Sequence, residues 1–433
     1  MRLTIFRDGK LSPPSVFLLI SLLLFTATVI ASVFFTNSSN SYDRILKGNK
    51  QNLIHWEISN FFNKWIHLST TLFRHELSES EKQVKIVKFF ELVGLQHSEK
   101  SKLEYLIAQN ADQDEILHIG EEIERIQGQI ISITPLVEEL LEAKVSKVLS
   151  ENNIIDEWGP VHWPPVDFTF EPGGLLLMTS PVERIFRQRE FLLQPNLSLL
   201  EQISIENHIE EAHPDTSALV IRIGGVATYP AQIRNTSSLH GALNLISHEW
   251  LHHWLIFRPL GKKWFEGGEL RTINETVANI FAEEIGDETY LLITGQKIIR
   301  EPWTPATQRS QIIVSNQFDY KAEMRRTRQK LEALLSVGSV EDSQIYLEDR
   351  RRFFVNQGYN IRKLNNAWFA FYGSYADSGG SISPIESQLR FIRLQSIDLR
   401  DFLSKVKQID EVGQLEKIAM GLGWTAEQLH SYH

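Results

Sequence analysis

The chain of 433 residues contains no cysteine. This absence excludes disulfide bonds and thiolate metal ligands, so any zinc site must be built from histidine and carboxylate side chains. The absence of cysteine does not by itself fix the cellular compartment.

An excess of basic side chains is lacking as well. The formal net charge is −10 at pH 7, which argues against a nucleic-acid partner. The hydrophobic fraction of 42% is enough for a substantial core, and at about 150 residues per domain the length predicts two or three units.

Charged residues are also missing from residues 15–35, and most of that run is apolar. About 20 apolar residues are enough to cross a bilayer, and three basic residues precede the run. The run therefore predicts a transmembrane helix, with residues 1–14 in the cytoplasm and the catalytic domain outside it, as in a single-pass membrane protein. A signal peptide cleaved near Ala31 is the alternative.

What the sequence does contain is His-Glu-x-x-His at residues 248–252, within an apolar stretch that predicts a helix. His248 and His252 are four residues apart, so they project from one face of that helix and can bind one metal ion. Glu249 follows the first histidine, where it can reach a metal-bound water rather than the metal. His253 points about 100° away from His252, which indicates a packed histidine or a hydrogen-bond donor.

A third metal ligand is available on a second predicted helix over residues 272–284. Glu275 follows His252 after enough chain to leave the first helix, turn and return. Asn274 is a candidate for orienting a ligand histidine. Glu283 and Glu284 are the alternative third ligands, although the end of a solvated helix explains both.

These two motifs carry a resemblance to a known group. His248-Glu249-x-x-His252 followed by Asn274-Glu275-x-x-Ala278 resembles the gluzincin pattern of zinc metallopeptidases. The segment Leu364-Asn365-Asn366-Ala367 is similar to one in a bacterial family of predicted zinc aminopeptidases. The resemblance implies that His248, His252 and Glu275 bind Zn²⁺ and that Glu249 is the general base.

An oxyanion donor is required by the same chemistry. Tyr375 is the first candidate and Tyr372 the second, because both follow the Asn365-Asn366 segment. Both tyrosines also fit the role of core aromatic residues.

Strand patterns precede the metal motif. A β-branched run over residues 217–223 predicts a strand beside the active-site helix, and Pro230 suits a sheet edge. Residues 168–170 and 175–178 predict a hairpin. Aminopeptidases that resemble this pattern carry an acid near the edge strand for the substrate's amino group, whereas residues 224–232 contain no Asp or Glu. Removal of an N-terminal residue and internal cleavage therefore both stay open.

The predicted fold is α+β and predominantly α. A helical domain covers residues 42–150, with a structural or substrate-gating role. A zincin-like catalytic domain covers residues 160–316, and a helical C-terminal part over residues 317–433 completes the active site. Within the first domain, Ser78 and Glu81 predict a capping box, and Gly94 and Ser98 predict the end of one helix and the start of the next.

Together these features predict a membrane-anchored zinc metallopeptidase that acts on peptide or protein substrates, with its oligomeric state left open. Two alternatives remain. Glu210-x-x-His213 and Glu249-x-x-His252 are the two motifs that a di-iron carboxylate oxidoreductase would need. A non-catalytic, membrane-tethered interaction protein would explain the helical domain without any hydrolysis.

Overall fold

A computed structural model describes much of the chain and carries the whole region of the two metal motifs. The described residues are 6–7, 10–11, 40–51, 77–109, 112–154, 156–158, 161–171, 173–300, 303, 318–376 and 378–425. Within them the chain is mostly helical, with small sheets.

The helices of the described ranges are given in chain order. They are α1 (Asn40–Ile45), α2 (Glu79–Ala108), α3 (Gln113–Glu151), α4 (Leu199–Ala212), α5 (Leu239–Leu255), α6 (Pro259–Lys262), α7 (Gly268–Thr294), α8 (Tyr320–Ser336), α9 (Val340–Asn356), α10 (Asn366–Tyr372), α11 (Ile385–Leu394), α12 (Leu399–Val406) and α13 (Val412–Gly421). A 3₁₀ turn, Lys263–Glu266, joins α6 to α7.

The strands of the described ranges form four small sheets. They are β1 (Phe6–Arg7), β2 (Lys10–Leu11), β3 (Asp156–Trp158), β4 (Val161–Trp163), β5 (Phe168–Glu171), β6 (Leu175–Pro181), β7 (Arg189–Leu193), β8 (Thr216–Arg222), β9 (Gly225–Val226) and β10 (Ala231–Arg234). Two sheets are two-stranded, β1-β2 and β3-β4, and two are three-stranded, in the orders β5-β10-β9 and β7-β6-β8.

The pairing of β5 differs from the predicted hairpin. β5 pairs in parallel with β10, while β6 pairs with β7 and β8 in the other three-stranded sheet. The hairpin prediction over residues 168–178 is therefore wrong. Between β5 and β6 the chain instead passes from one three-stranded sheet to the other.

Helices α2 and α3 pack against each other and carry a long buried stripe. The backbone N–H of Ser78 donates to the Glu81 carboxylate, and the N–H of Glu81 donates to Ser78 Oγ at 3.3 Å, so the predicted capping box is confirmed. The predicted break at Gly94 is wrong, because α2 runs through it. A Cβ at Gly94 would lie 3.4 Å from the Ser237 Cβ, an ordinary van der Waals contact, so this glycine neither ends the helix nor is required by its surroundings.

One hydrophobic cluster holds most of these elements together. It contains buried side chains from Ile86 on α2 to Trp424 near the C-terminal end of the described chain, and it includes much of α5 and α7. The cluster draws residues from all three predicted domains, whose boundaries stay predictions. The two helices that carry the metal motifs thus lie inside the main core.

One edge of each three-stranded sheet, β5 in one and β8 in the other, is capped by two glutamates four residues apart on a neighbouring helix. On α3, Glu138 accepts the backbone N–H of Phe170 at 2.6 Å, and Glu142 accepts that of Phe168 at 3.0 Å. Because residues i and i+4 of a helix lie one turn apart, they reach alternate N–H groups of a strand.

The second sheet repeats this arrangement with another helix. On α4, Glu206 accepts the N–H of Val220 at 2.7 Å and Glu210 accepts that of Ala218 at 2.8 Å. The far edge, β7, pairs with residues 49–51. In the part of these two sheets that the structure describes, β9 is the edge strand without such a cap.

The predicted transmembrane helix requires a correction. Its range, 15–35, lies outside the described residues. Among the helices that are described, none is both long enough and apolar enough to cross a bilayer. Helix α5 is apolar but spans 17 residues, where about 20 are needed, and the 39-residue α3 carries charged side chains along its length. The fold class is therefore wrong in including a transmembrane helix, and so is the localisation as a single-pass membrane protein.

Candidate metal centre

Helix α5 places the two histidines of the first motif on one face. Ser238 is its N-cap, and the Ser238 side chain accepts the N–H of Gly241 at 3.0 Å. Buried apolar residues such as Leu243 and Trp250 fix the opposite face in the core. The side chains of His248 and His252 are 13% and 14% exposed, so both are largely but not completely buried.

Glu275 on α7 meets these histidines. The Nε2 atoms of His248 and His252 are 3.0 Å apart. Glu275 Oε2 lies 3.3 Å from His248 Nε2 and 3.6 Å from His252 Nε2. Zinc bonds of about 2.0–2.1 Å at tetrahedral angles separate ligand atoms by about 3.3–3.4 Å. The three donor atoms therefore have the spacing of one face of a tetrahedral site, and the group could hold a metal ion.

The charges within this group are coupled. Burial raises the pKa of Glu275, but the two imidazoles outweigh burial and hold that pKa well below its usual range. Burial lowers the pKa of His252, but Glu275, and to a smaller extent Glu249 and Asn274, raise it overall. Glu275 is therefore an anion at neutral pH, as a cation ligand must be.

Glu249 lies beside the three donor atoms but faces a strand. Its side chain is buried, and burial raises its pKa against the opposing effect of His248 and His252. A Cβ built on Gly225 of β9 would lie 2.5 Å from Glu249 Oε1. The carboxylate of Glu249 is thus packed against the backbone of the uncapped edge strand.

Among the described strands, β10 and β9 make the main contacts with α5. The sequence predicted that residues 217–223 would run beside this helix. That strand, β8, belongs to the other three-stranded sheet, and the Asn365 side chain and α4 glutamates cover its edge. The prediction named the wrong strand. The strands beside α5 are β9 and β10, and Gly225 on β9 lets the Glu249 side chain of the helix approach closely.

His253 and Asn274 have defined partners. Burial lowers the pKa of His253 to about 4, so its neutral ring donates from Nε2 to the Thr228 carbonyl at 2.8 Å. This bond ties α5 to the loop that follows β9. Asn274 Nδ2 donates to the Leu260 carbonyl at 3.2 Å, which fixes the turn between the two ligand helices.

The structure separates the two candidate tyrosines. Burial raises the pKa of Tyr375 well above its usual value, and the carboxylates of Glu275 and Glu249 add to this effect. Tyr375 is thus a protonated phenol within the field of both acids. The ring of Tyr372 instead packs at a tilt against that of Trp368, with ring centroids 4.4 Å apart.

The Asn365-Asn366 segment docks α10 onto the second sheet. Asn365 caps α10 through the Trp368 N–H at 3.1 Å and donates to the Ala218 carbonyl at 3.0 Å. Asn366 Nδ2 donates to the Pro181 carbonyl at 2.9 Å. These contacts position the turn that carries Tyr375.

The remaining sequence candidates lie elsewhere. Glu283 and Glu284 pair with Arg390 and Arg393 at 3.0 and 2.7 Å. Glu210 pairs with Lys363 at 2.8 Å, besides capping β8. His213 lies 2.8 Å from Ser41 Oγ and stacks on Tyr42. Within the described residues, none of these side chains belongs to the group that could hold a metal ion.

Trp264 is a site residue that sequence reasoning missed. It lies on the 3₁₀ turn between α6 and α7, and its Nε1 donates to Glu275 Oε1 at 2.7 Å. No short motif marks it, since its role depends on how that turn folds back. Trp264 also lines an open pocket of about 1200 Å³, whose walls include β7, the start of α7, part of α8 and the region after α10.

Comparison with known proteins gave no relatives: no family model, no curated protein and no solved structure matches this chain. The resemblance to gluzincins therefore rests on the two motifs alone. The geometry supports the coarser statement that His248, His252 and Glu275 could hold a metal ion.

Proposed function

We propose that this protein is a zinc-dependent metallopeptidase. His248, His252 and Glu275 hold the ion, and Glu249 is the general base. The observation that carries the proposal is the spacing of the three donor atoms, 3.0, 3.3 and 3.6 Å. Two imidazoles and one carboxylate are a donor set that catalytic zinc sites use, with one position left for water.

Zinc, when bound, lowers the pKa of a coordinated water to about 7 and polarises a substrate carbonyl. The chain's own residues provide the rest of the chemistry. Glu249 accepts the proton of the attacking water and passes it to the leaving amine. Its raised pKa, which burial causes, suits both steps, because a carboxyl group that must also act as an acid needs to hold a proton more tightly than a solvated one.

Tyr375 is the proposed donor to the carbonyl oxygen as negative charge develops there. Burial and two nearby carboxylates raise the pKa of its phenol further above neutrality, so the proton stays on the donor. A protonated donor held in a partly buried setting stabilises charge without having to reorganise. This role suits Tyr375 better than Tyr372, whose ring packs on Trp368.

The proposed substrate is a peptide in extended form, paired with β9. This strand is an uncapped sheet edge, and Glu249 lies against Gly225 within it. Strand addition to such an edge binds a peptide through its backbone and so accepts many sequences. A peptide acetylated at its N-terminus distinguishes internal cleavage, which tolerates the acetyl group, from removal of the first residue, which needs a free amine.

The test is Glu249→Gln, measured with quenched fluorescent peptides and by metal analysis. We expect the hydrolysis rate to fall by about 10²–10⁴-fold, the usual contribution of a general base, with zinc content unchanged. Glu283→Gln is the matched control, because Glu283 is on a ligand helix but pairs with Arg390. Equal rates in Glu249→Gln and in the unaltered protein would refute the mechanism.

A further inference from the structure

The two oxygens of Glu275 have different partners. Oε2 faces both imidazoles, at 3.3 and 3.6 Å. Oε1 accepts the indole N–H of Trp264 at 2.7 Å. The carboxylate is thus oriented before any ion binds, because rotation about its last bond would break the indole bond and leave a buried anion with one partner fewer.

Trp264 is in turn held from its other side. The Arg271 guanidinium lies 4.4 Å from the centroid of the Trp264 ring, and Arg271 Nε donates to the Trp264 carbonyl at 3.2 Å. A cation over the face of an indole and a hydrogen bond to its backbone fix both the ring and the turn. The rotamer that delivers the N–H to Glu275 is therefore set by Arg271.

Two further ion pairs extend this chain of contacts. Arg271 pairs with Glu190 at 2.6 Å, and Glu190 pairs with Arg187 at 3.3 Å. Arg187 donates to Ser374 Oγ at 2.6 Å, and Ser374 precedes Tyr375. The Arg271, Glu190 and Arg187 side chains are no more than 15% exposed, so solvent screens these pairs weakly.

We propose that Trp264 is a positioning residue that makes Glu275 a single-oxygen metal ligand, and that Arg271 with its ion pairs keeps Trp264 in place. The proposal rests on metal binding at the proposed centre but not on peptide hydrolysis. Groups that hydrogen-bond a metal ligand set its orientation, and their loss usually costs 10–100-fold in metal affinity.

The experiment measures the zinc affinity of Trp264→Phe by competition with a chromophoric chelator. The change keeps the aromatic ring and removes the N–H donor. Trp250→Phe is the matched control: Trp250 lies between the two ligand histidines in sequence, but its buried indole donates to the Pro164 carbonyl at 3.0 Å. We expect Trp264→Phe to weaken zinc binding by 10–100-fold and Trp250→Phe to leave it unchanged. The melting temperature of each chelator-treated variant shows separately how much stability the substitution costs.

A second variant keeps the proposal testable if Trp264→Phe does not fold. Arg271→Met retains the Trp264 indole but removes the guanidinium that packs on it and the hydrogen bond to the Trp264 carbonyl. Zinc affinity should therefore fall in this variant too. Unchanged affinity in whichever of these two variants folds would overturn the proposal. If the unaltered protein binds zinc tightly and cleaves no peptide, the proposed function fails while this inference is still decided by the affinities. If Glu275→Ala binds zinc as tightly as the unaltered protein, both fail.

Discussion

At position 225, a side chain as small as a methyl group would collide with the proposed general base. A Cβ there would lie 2.5 Å from Glu249 Oε1 and 2.9 Å from the Gln232 carbonyl oxygen. The carboxylate is a side-chain end and can move, but the carbonyl is backbone and cannot move alone. Gly225 is therefore required for the contact between β9 and Glu249.

For Gly225→Ala we expect a loss of hydrolysis of about 100-fold, since a displacement of about 1 Å at a reacting group costs that much. Zinc content should not change, because the three ligands are not touched. Gly224→Ala is the control, as its Cβ would meet the Leu245 side chain. Kinetics and metal analysis of the two variants check this, and similar activity in both would mean that Glu249 tolerates displacement.

Glu190 provides a test based on pH. Burial raises its pKa, but Arg187 and Arg271 outweigh burial and leave that pKa below the usual 4.5. Because the folded pKa lies below the unfolded one, the stabilisation is fully present above about pH 4.5 and is lost as the pH falls through the folded value. Glu190→Gln should therefore cost about 3 kcal/mol at pH 7, and this cost should shrink as the solution is acidified.

Urea unfolding of the chelator-treated proteins at several pH values measures this difference. Using chelator-treated protein removes zinc release from the comparison. A difference between the two proteins that stays constant from pH 7 to below pH 4 would contradict the assigned direction of the pKa shift.

At the same scale, the sequence predicted some of the candidate site and missed the rest. The convergence of His248 and His252 follows from helical geometry. The downstream motif identified Glu275 as a partner, which agrees with the group of three side chains that could hold a metal ion. Trp264 could not be found in this way. Its contact with Glu275 depends on a 3₁₀ turn. Arg271, which packs on the Trp264 ring, pairs with Glu190, a residue far away in the sequence.

At the scale of elements, the site depends on how closely α5 and α7 approach. A Cβ on Gly286 of α7 would lie 1.9 Å from Asn244 Oδ1 and 3.2 Å from the Asn244 backbone nitrogen. Asn244 is one helical turn before His248. Gly286 thus sets the distance between the helix that carries the two imidazoles and the helix that carries Glu275.

Gly286→Ala should therefore push the two helices apart. We expect a loss of about 1–3 kcal/mol in the free energy of unfolding, the usual cost of overpacking, together with weaker zinc binding. Gly128→Ala on α3 is the control: its Cβ would meet no atom within 4 Å, so it should be neutral or stabilising by about 0.5–1 kcal/mol. Urea titration and zinc competition measure both effects, and undiminished zinc affinity in Gly286→Ala would show that the helix spacing is not critical.

Local signals predicted elements better than they predicted partners. The capping box at Ser78 marked the start of α2 because both of its hydrogen bonds are local. Gly94 was misleading, because α2 continues through it and its surroundings would accept a Cβ at an ordinary contact distance. The parallel pairing of β5 with β10 likewise depends on contacts distant in sequence, which no hairpin pattern encodes.

At the scale of the whole molecule, the ligand helices belong to a cluster that extends from Ile86 to Trp424. Zinc binding should therefore stabilise the described chain as a unit. At 100 times its dissociation constant, a ligand of the folded state adds about 2.7 kcal/mol. Calorimetry should show a higher melting temperature with zinc than after chelation, and no such shift in Glu275→Ala. A zinc-dependent shift that persists in that variant would place the ion elsewhere.

The glutamates on α3 and α4 that accept the N–H groups of β5 and β8 have a consequence beyond stability. Another polypeptide cannot add as a strand at those two sheet edges, because the glutamates already occupy their N–H groups. Residues 49–51 occupy a third edge, along β7. In the described part of the two larger sheets, β9 is the remaining place for such an encounter, and Glu249 lies beside it. The same capping of sheet edges would then both limit edge-to-edge aggregation and direct a peptide substrate to the one edge that lies beside Glu249.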